Sequence, residues 1–73
     1  SDYEKLHPLV AYVPAEQRLT LLAALRAMRS GQRAGLGVLA QRTPPQERQA
    51  LREELLATPL AERDAWLEEK LGQ

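Results

Sequence analysis

Thr43-Pro44-Pro45-Gln46-Glu47-Arg48-Gln49-Ala50-Leu51 and Thr58-Pro59-Leu60-Ala61-Glu62-Arg63-Asp64-Ala65-Trp66 follow one pattern at a shift of fifteen residues. Threonine, proline, glutamate, arginine and alanine coincide. Further on, Glu53-Glu54 matches Glu68-Glu69, and Leu56 matches Leu71. Each stretch opens with helix-start chemistry. Thr43 is placed as an N-cap, Pro44 at the first helical position, where its missing N–H has no partner anyway, and Gln46 three residues after the cap, as in a capping box. Thr58-Pro59 repeats the cap. The pattern predicts one helix over 43–57, with Leu51, Leu55 and Leu56 inward. It predicts a second over 58–71, with Leu60, Leu67 and Leu71 as its stripe and Gly72 as its stop.

The pattern extends backwards. Gln17-Arg18, Gln32-Arg33, Glu47-Arg48 and Glu62-Arg63 lie fifteen apart, and Pro14, Pro44 and Pro59 keep the same register. Two residues after each arginine comes a short residue (Thr20, Gly35, Ala50, Ala65), and next to it a large apolar one (Leu21, Leu36, Leu51, Trp66). Leu6, fifteen before Leu21, is a faint earlier trace. A first helix is expected over 14–30, from Pro14 to Arg29, with Leu21, Leu25 and Met28 as its stripe and Gly31 ending it. Glu16 in its first turn and Arg26 and Arg29 in its last suit the helix dipole. A second is expected over 32–42. Gly35 and Gly37 weaken it, each by about 1 kcal/mol relative to alanine, and mark a close helix crossing or a break. Leu36, Val38 and Leu39 read as buried.

A helix this short cannot bury its apolar stripe alone and must stack on neighbours. The fold class is therefore all-α: a compact bundle or short spiral of four to five short helices with a fifteen-residue internal repeat, in one domain covering 1–73. Residues 1–13 form an N-terminal arm or short helix. Its apolar residues, Tyr3, Leu6, Leu9, Val10, Tyr12 and Val13, either pack on the bundle or dock onto a second subunit. The runs Pro44-Pro45-Gln46-Glu47-Arg48 and Pro59-Leu60-Ala61-Glu62-Arg63 resemble proline-rich short-helix repeats of bacterial families. These include periplasmic proteins with Pro-Pro-x-Glu-Arg runs and the regulatory domain of a magnesium transporter family. The resemblance implies short helices joined at proline corners, and no activity.

Composition narrows the function classes. Ten basic and ten acidic residues balance to zero, whereas dedicated nucleic-acid binders carry a basic excess. No run of about 18 apolar residues is present to span a membrane. Cysteine is absent, so disulfides and thiolate metal sites are excluded, and the single His7 needs carboxylates to hold a metal. A small domain of this kind is stabilised by helix packing or by oligomerisation. The cytosol is the expected compartment, with the periplasm as the alternative where a signal peptide has been removed.

Nothing in the sequence forms a catalytic, cofactor or metal site. The pairs Glu53-Glu54 and Glu68-Glu69 diverge by about 100° on a helix and cannot converge on one atom. The serines stand in no nucleophile motif, and Gly31, Gly35 and Gly37 follow no strand and make no phosphate loop. No small-molecule substrate is indicated.

What remains is a surface. No acidic residue occurs from Leu19 to Gln46, while Arg26, Arg29, Arg33 and Arg42 fall within that interval; acids crowd the last third. The expected function is a non-catalytic protein–protein interaction module that binds an acidic protein partner or a second copy of itself as a homodimer. Its contact residues are read as Arg26, Arg29, Arg33, Arg42 and Trp66. Arg26 and Arg29 share a helix face, and Trp66 is core filler or an interface anchor. The series Arg18, Arg33, Arg48, Arg63 either lines up for phosphates or carboxylates, or packs each arginine over its own corner. The competing function is a helix-turn-helix-like nucleic-acid regulator with Arg33, Gln41 and Arg42 as readers.

Overall fold

The computed structural model describes residues 2–73, with side chains from residue 4 onward, so the side chain of Tyr3 lies outside the described set. Every element among these residues is helical and there is no strand. The order is α1 (Asp2–Lys5), α2 (His7–Val10), α3 (Ala15–Ala27), α4 (Ser30–Arg42), α5 (Arg48–Ala57) and α6 (Arg63–Leu71). Short 3-10 turns, Pro45–Glu47 and Leu60–Glu62, lead into α5 and α6.

Three corners are built alike. The preceding helix ends on an extended residue, Met28, Thr43 or Thr58. The next residue, Arg29, Pro44 or Pro59, has ψ of 160°, 149° or 146°. Proline enforces this at two of them, because it pushes the residue before it out of the helical region. An arginine then folds back over the corner. Arg33 Nη1 donates to Met28 O, Arg48 Nε to Thr43 O at 3.2 Å and Arg63 Nε to Thr58 O at 3.1 Å. These carbonyls lie at helix ends, where no intrahelical N–H reaches them.

The corners correct the expected caps. Thr43 and Thr58 close the helix before them instead of opening the one after. Thr43 Oγ1 donates to Leu39 O at 2.6 Å and Thr58 Oγ1 to Glu54 O at 2.7 Å. The extended backbone before proline removes each threonine from the N-cap position, and the hydroxyl takes the carbonyl four residues back instead. Gly31 is no stop either. It lies in the first turn of α4, and the break falls at Met28–Arg29. Gln32 Oε1 accepts the Arg29 backbone N–H at 3.0 Å and so fixes the start of α4.

α4 is the centre of the packing, with α1 and α6 against it, while α5 packs on α2 and α3. Both interior glycines of α4 mark close crossings rather than a break. A Cβ on Gly37 would lie 3.0 Å from Lys5 Cβ of α1, and one on Gly35 would lie 3.4 Å from Leu71 Cδ1 of α6. The core joins Leu6, Leu9, Leu21, Leu25, Leu36 and Leu55, all fully buried, with Met28, Leu39, Leu51 and Leu67. Leu21, Leu36 and Leu51 are thus inside as expected, and Trp66 is half-buried against them. Leu6 and Leu9 enter this chain's own core, which decides between packing on the bundle and docking elsewhere. Two residues read as buried are not: Val38 is 47% exposed and Leu60 54%. Leu60 sits in the 3-10 turn, outside the face that α6 presents.

Candidate interaction surface

Of the five residues singled out as contacts, Arg29, Arg33 and Arg42 bond within the chain, Trp66 is half-buried and Arg26 is exposed. Arg29 lies beyond the end of α3, which stops at Ala27, so it shares no helix face with Arg26. Its Nη2 donates to Asp64 Oδ2 of α6 at 2.5 Å, while Gln32 Nε2 donates to Asp64 Oδ1 at 2.6 Å. One carboxylate thereby ties the α3–α4 corner to α6. The Arg29 guanidinium first, and the Gln32 amide second, hold the Asp64 carboxyl below its ordinary range.

Arg33 covers its own corner. Arg42 caps the chain's last helix, Nη1 on Leu71 O at 3.3 Å and Nη2 on Gln73 O at 3.4 Å. Gln41 Nε2 donates to Lys5 O at 3.1 Å, across the α1–α4 crossing. Arg26 is different. It is exposed on the last turn of α3 and, among the described residues, takes part in no ion pair.

Of the basic centre, Arg29 thus pairs with an acid of the last third within one chain. A second ion pair, inside that last third, links Lys70 Nζ to Glu54, 3.0 Å from Oε2, so α6 is also tied to α5. Lys70 lowers the Glu54 carboxyl most. The Trp66 indole N–H adds the smallest pull, though it stops short of a formed hydrogen bond.

One arginine outside that set has a structural role that the sequence reading passed over. Arg52 is 6% exposed on α5. Its Nη1 donates to Leu9 O at 3.0 Å, and its Nε and Nη2 reach Gln49 Oε1 at 3.0 and 2.8 Å. Gln49 Nε2 in turn donates to Gln17 Oε1 of α3 at 3.1 Å. This buried chain holds α2, α3 and α5 together, and burial lowers the Arg52 pKa, with Arg48 adding to the effect. The signal was present: Arg52 neighbours Leu51 and precedes Leu55 by three, so helical periodicity points it inward.

An apolar side without cover lies on α3. Its inner side carries Leu21, Ala24 and Leu25, all buried. Its outer side is a row at every fourth residue, Ala15, Leu19, Ala23 and Ala27, all exposed. Leu19 is 81% exposed. Glu16 and Arg26 lie beside this row near its two ends. In the corner just before α3, Tyr12 is 99% exposed and has φ of 61°. A bulky side chain in the left-handed region is strained, and such strain clusters at functional sites.

Elsewhere, a shallow groove of about 530 Å³ follows the α1–α4 crossing, lined by Glu4, Lys5, Gly37, Val38, Gln41 and Arg42. Among the described residues no three acidic, histidine or cysteine side chains gather as metal ligands, and no helix is long and apolar enough to cross a membrane. Compared with known protein families, with characterised proteins and with solved structures, the chain has no match.

Proposed function

We propose that this chain is a non-catalytic helical interaction module that docks a protein partner on the outer face of α3. The observation that carries this reading is Leu19, 81% exposed in the middle of a helix whose opposite side is already in the core. A helix apolar on both sides calls for cover on both sides. Tyr12, in the corner just before α3, is a second exposed apolar group. Arg26 remains exposed on α3 to meet an acidic group of the partner. Arg29, Arg33 and Arg42 serve the fold, and the half-buried Trp66 belongs to the core margin rather than to this face.

The architecture is read here as a fifteen-residue unit used several times over. The alike corners at Met28, Thr43 and Thr58, each covered by the arginine five residues on, support that reading. They also favour the corner-packing role of the arginine series over a ligand-binding row. The nucleic-acid reading is weaker. A recognition helix must enter a groove, yet α4 lies between α1 and α6, with Gln41 and Arg42 bonded to their carbonyls.

Photo-crosslinking in the native cell extract tests the face. A crosslinking residue at Leu19 should give one discrete adduct, and one at Ala61, exposed in the turn before α6, should give none. Equal labelling at both positions, or at neither, would remove α3 as the contact.

A further inference from the structure

We infer that the occupant of this face is a second copy of the chain, with two α3 helices packed antiparallel about a two-fold axis at the level of Leu21. This deepens the proposed function and rests on its choice of face. A two-fold interface requires a surface complementary to itself, and α3 has one. With that axis, Leu19 of one copy falls opposite Ala23 of the other, large against small. Ala15 and Ala27 lie level with each other on the two flanks of this seam, about 120° apart around the helix, and neither is bulky enough to hold the backbones apart. Glu16 falls opposite Arg26, and the symmetry makes this pair twice.

Both charges are available. Glu16 and Arg26 are exposed, and among the described residues neither has an ion-pair partner within the chain. An acid in the first turn and a base in the last also suit the dipole of an isolated helix. That accounts for the charges, and helix propensity accounts for alanine at Ala15, Ala23 and Ala27, but neither accounts for Leu19. The pairing covers Leu19 as well. Arg18, the remaining charge on α3, stands apart from the row and meets no like charge in this register. Acidic groups that would oppose the approach of a second copy are limited on α3 to Glu16 itself.

The contact of one helix pair is small, in the class below about 1,200 Å² that holds weak complexes. Association is therefore read by sedimentation equilibrium over a concentration series. The wild-type chain should dimerise with rising concentration. Leu19→Asp should stay monomeric with an unchanged circular dichroism spectrum, since this side chain is outside the core. Glu16→Arg alone and Arg26→Glu alone should each weaken the dimer by at least about tenfold, because like charges then face each other twice. An equimolar mixture of those two variants should regain it. In the mixed pair, the two altered positions face each other with opposite charge, and so do the two native residues.

A wild-type chain that stays monomeric throughout overturns the self-docking. So does a dimer indifferent to Leu19→Asp. Failure of the mixture to recover, with each single variant impaired, overturns the antiparallel register. A crosslinked adduct at Leu19 whose mass is not that of two chains, alongside a monomeric chain, separates the two claims: it retains the α3 face and rejects the second copy.

Discussion

α3 and α4 are each 13 residues long and join at one corner, and neither has a clear polar side. Their surroundings differ. α4 is covered by α1 at Gly37 and by α6 at Gly35, and its buried residues run around the helix: Gln32, Leu36, Gly37, Leu39 and Ala40. α3 is covered along one side by α5 and the core, and Leu19 faces water on the other. Similar helices thus meet their need for cover in different ways. α4 finds two partners inside the chain because its glycines admit neighbouring helices. α3 finds one, and on its bare side it carries alanines that would admit another helix in the same manner.

The sharpest way to break this comparison is to truncate a leucine on each helix. Leu36→Ala should cost about 3 kcal/mol in urea unfolding, the price of a cavity in a filled core. Leu19→Ala should stay within about 0.5 kcal/mol at concentrations where the chain is a monomer. Equal losses would mean that α3 is better covered than its exposure indicates. Next in size is Arg52→Ala, expected to lose about 2 kcal/mol, because the Leu9 carbonyl is left buried without its charged donor. A loss within 0.5 kcal/mol there (on the scale of a surface substitution) would show that α2 does not depend on it.

The glycines come next. Gly37→Leu should cost roughly 1–3 kcal/mol by overpacking the Lys5 crossing. Gly31→Ala should instead gain up to about 1 kcal/mol from helix propensity, since nothing lies within 4 Å of the added carbon. A neutral Gly37→Leu would dissolve the idea that α4 is enclosed.

The smallest effect is electrostatic. Asp64, exposed but bonded through both oxygens, is held below its ordinary 3.8 by Arg29 and Gln32. A lowered folded pKa adds stability above the ordinary value and loses it as pH falls through the folded one. The stability gap between the wild type and Asp64→Asn should therefore be constant above pH 3.8 and close below it. A gap that persists unchanged in stronger acid would mean that the Asp64 clamp does not act through its charge.

How far the sequence could be read is clearest at particular residues. The inward places of Leu21, Leu36 and Leu51 were legible because helical spacing alone sets them, and the helical class followed from composition. The direction of Thr43 and Thr58 was not. A threonine before proline can cap the next helix or bond the previous one, and only the extended corner decides. The roles of Arg29, Arg33 and Arg42 depend on which carbonyl or carboxylate the fold brings within reach, and charge counting along the chain carries no such information. Of that set of arginines, Arg26 alone takes part in no ion pair or side-chain hydrogen bond among the described residues. The bare row on α3 was visible in retrospect as a helix with no polar side, Ala15-Leu19-Ala23-Ala27 opposite Leu21-Leu25.

The central claim is that α3's bare side is filled by α3 of a second copy in one register, and the absence of cysteine allows it to be probed directly. Glu16→Cys and Arg26→Cys chains are prepared separately, mixed under mild oxidation, and the disulfide-linked species resolved by mass. The two-fold antiparallel pairing predicts that the mixed disulfide dominates, because position 16 faces position 26 of the other copy while identical positions lie far apart. A statistical mixture of all three disulfides, or no disulfide at all, would contradict it.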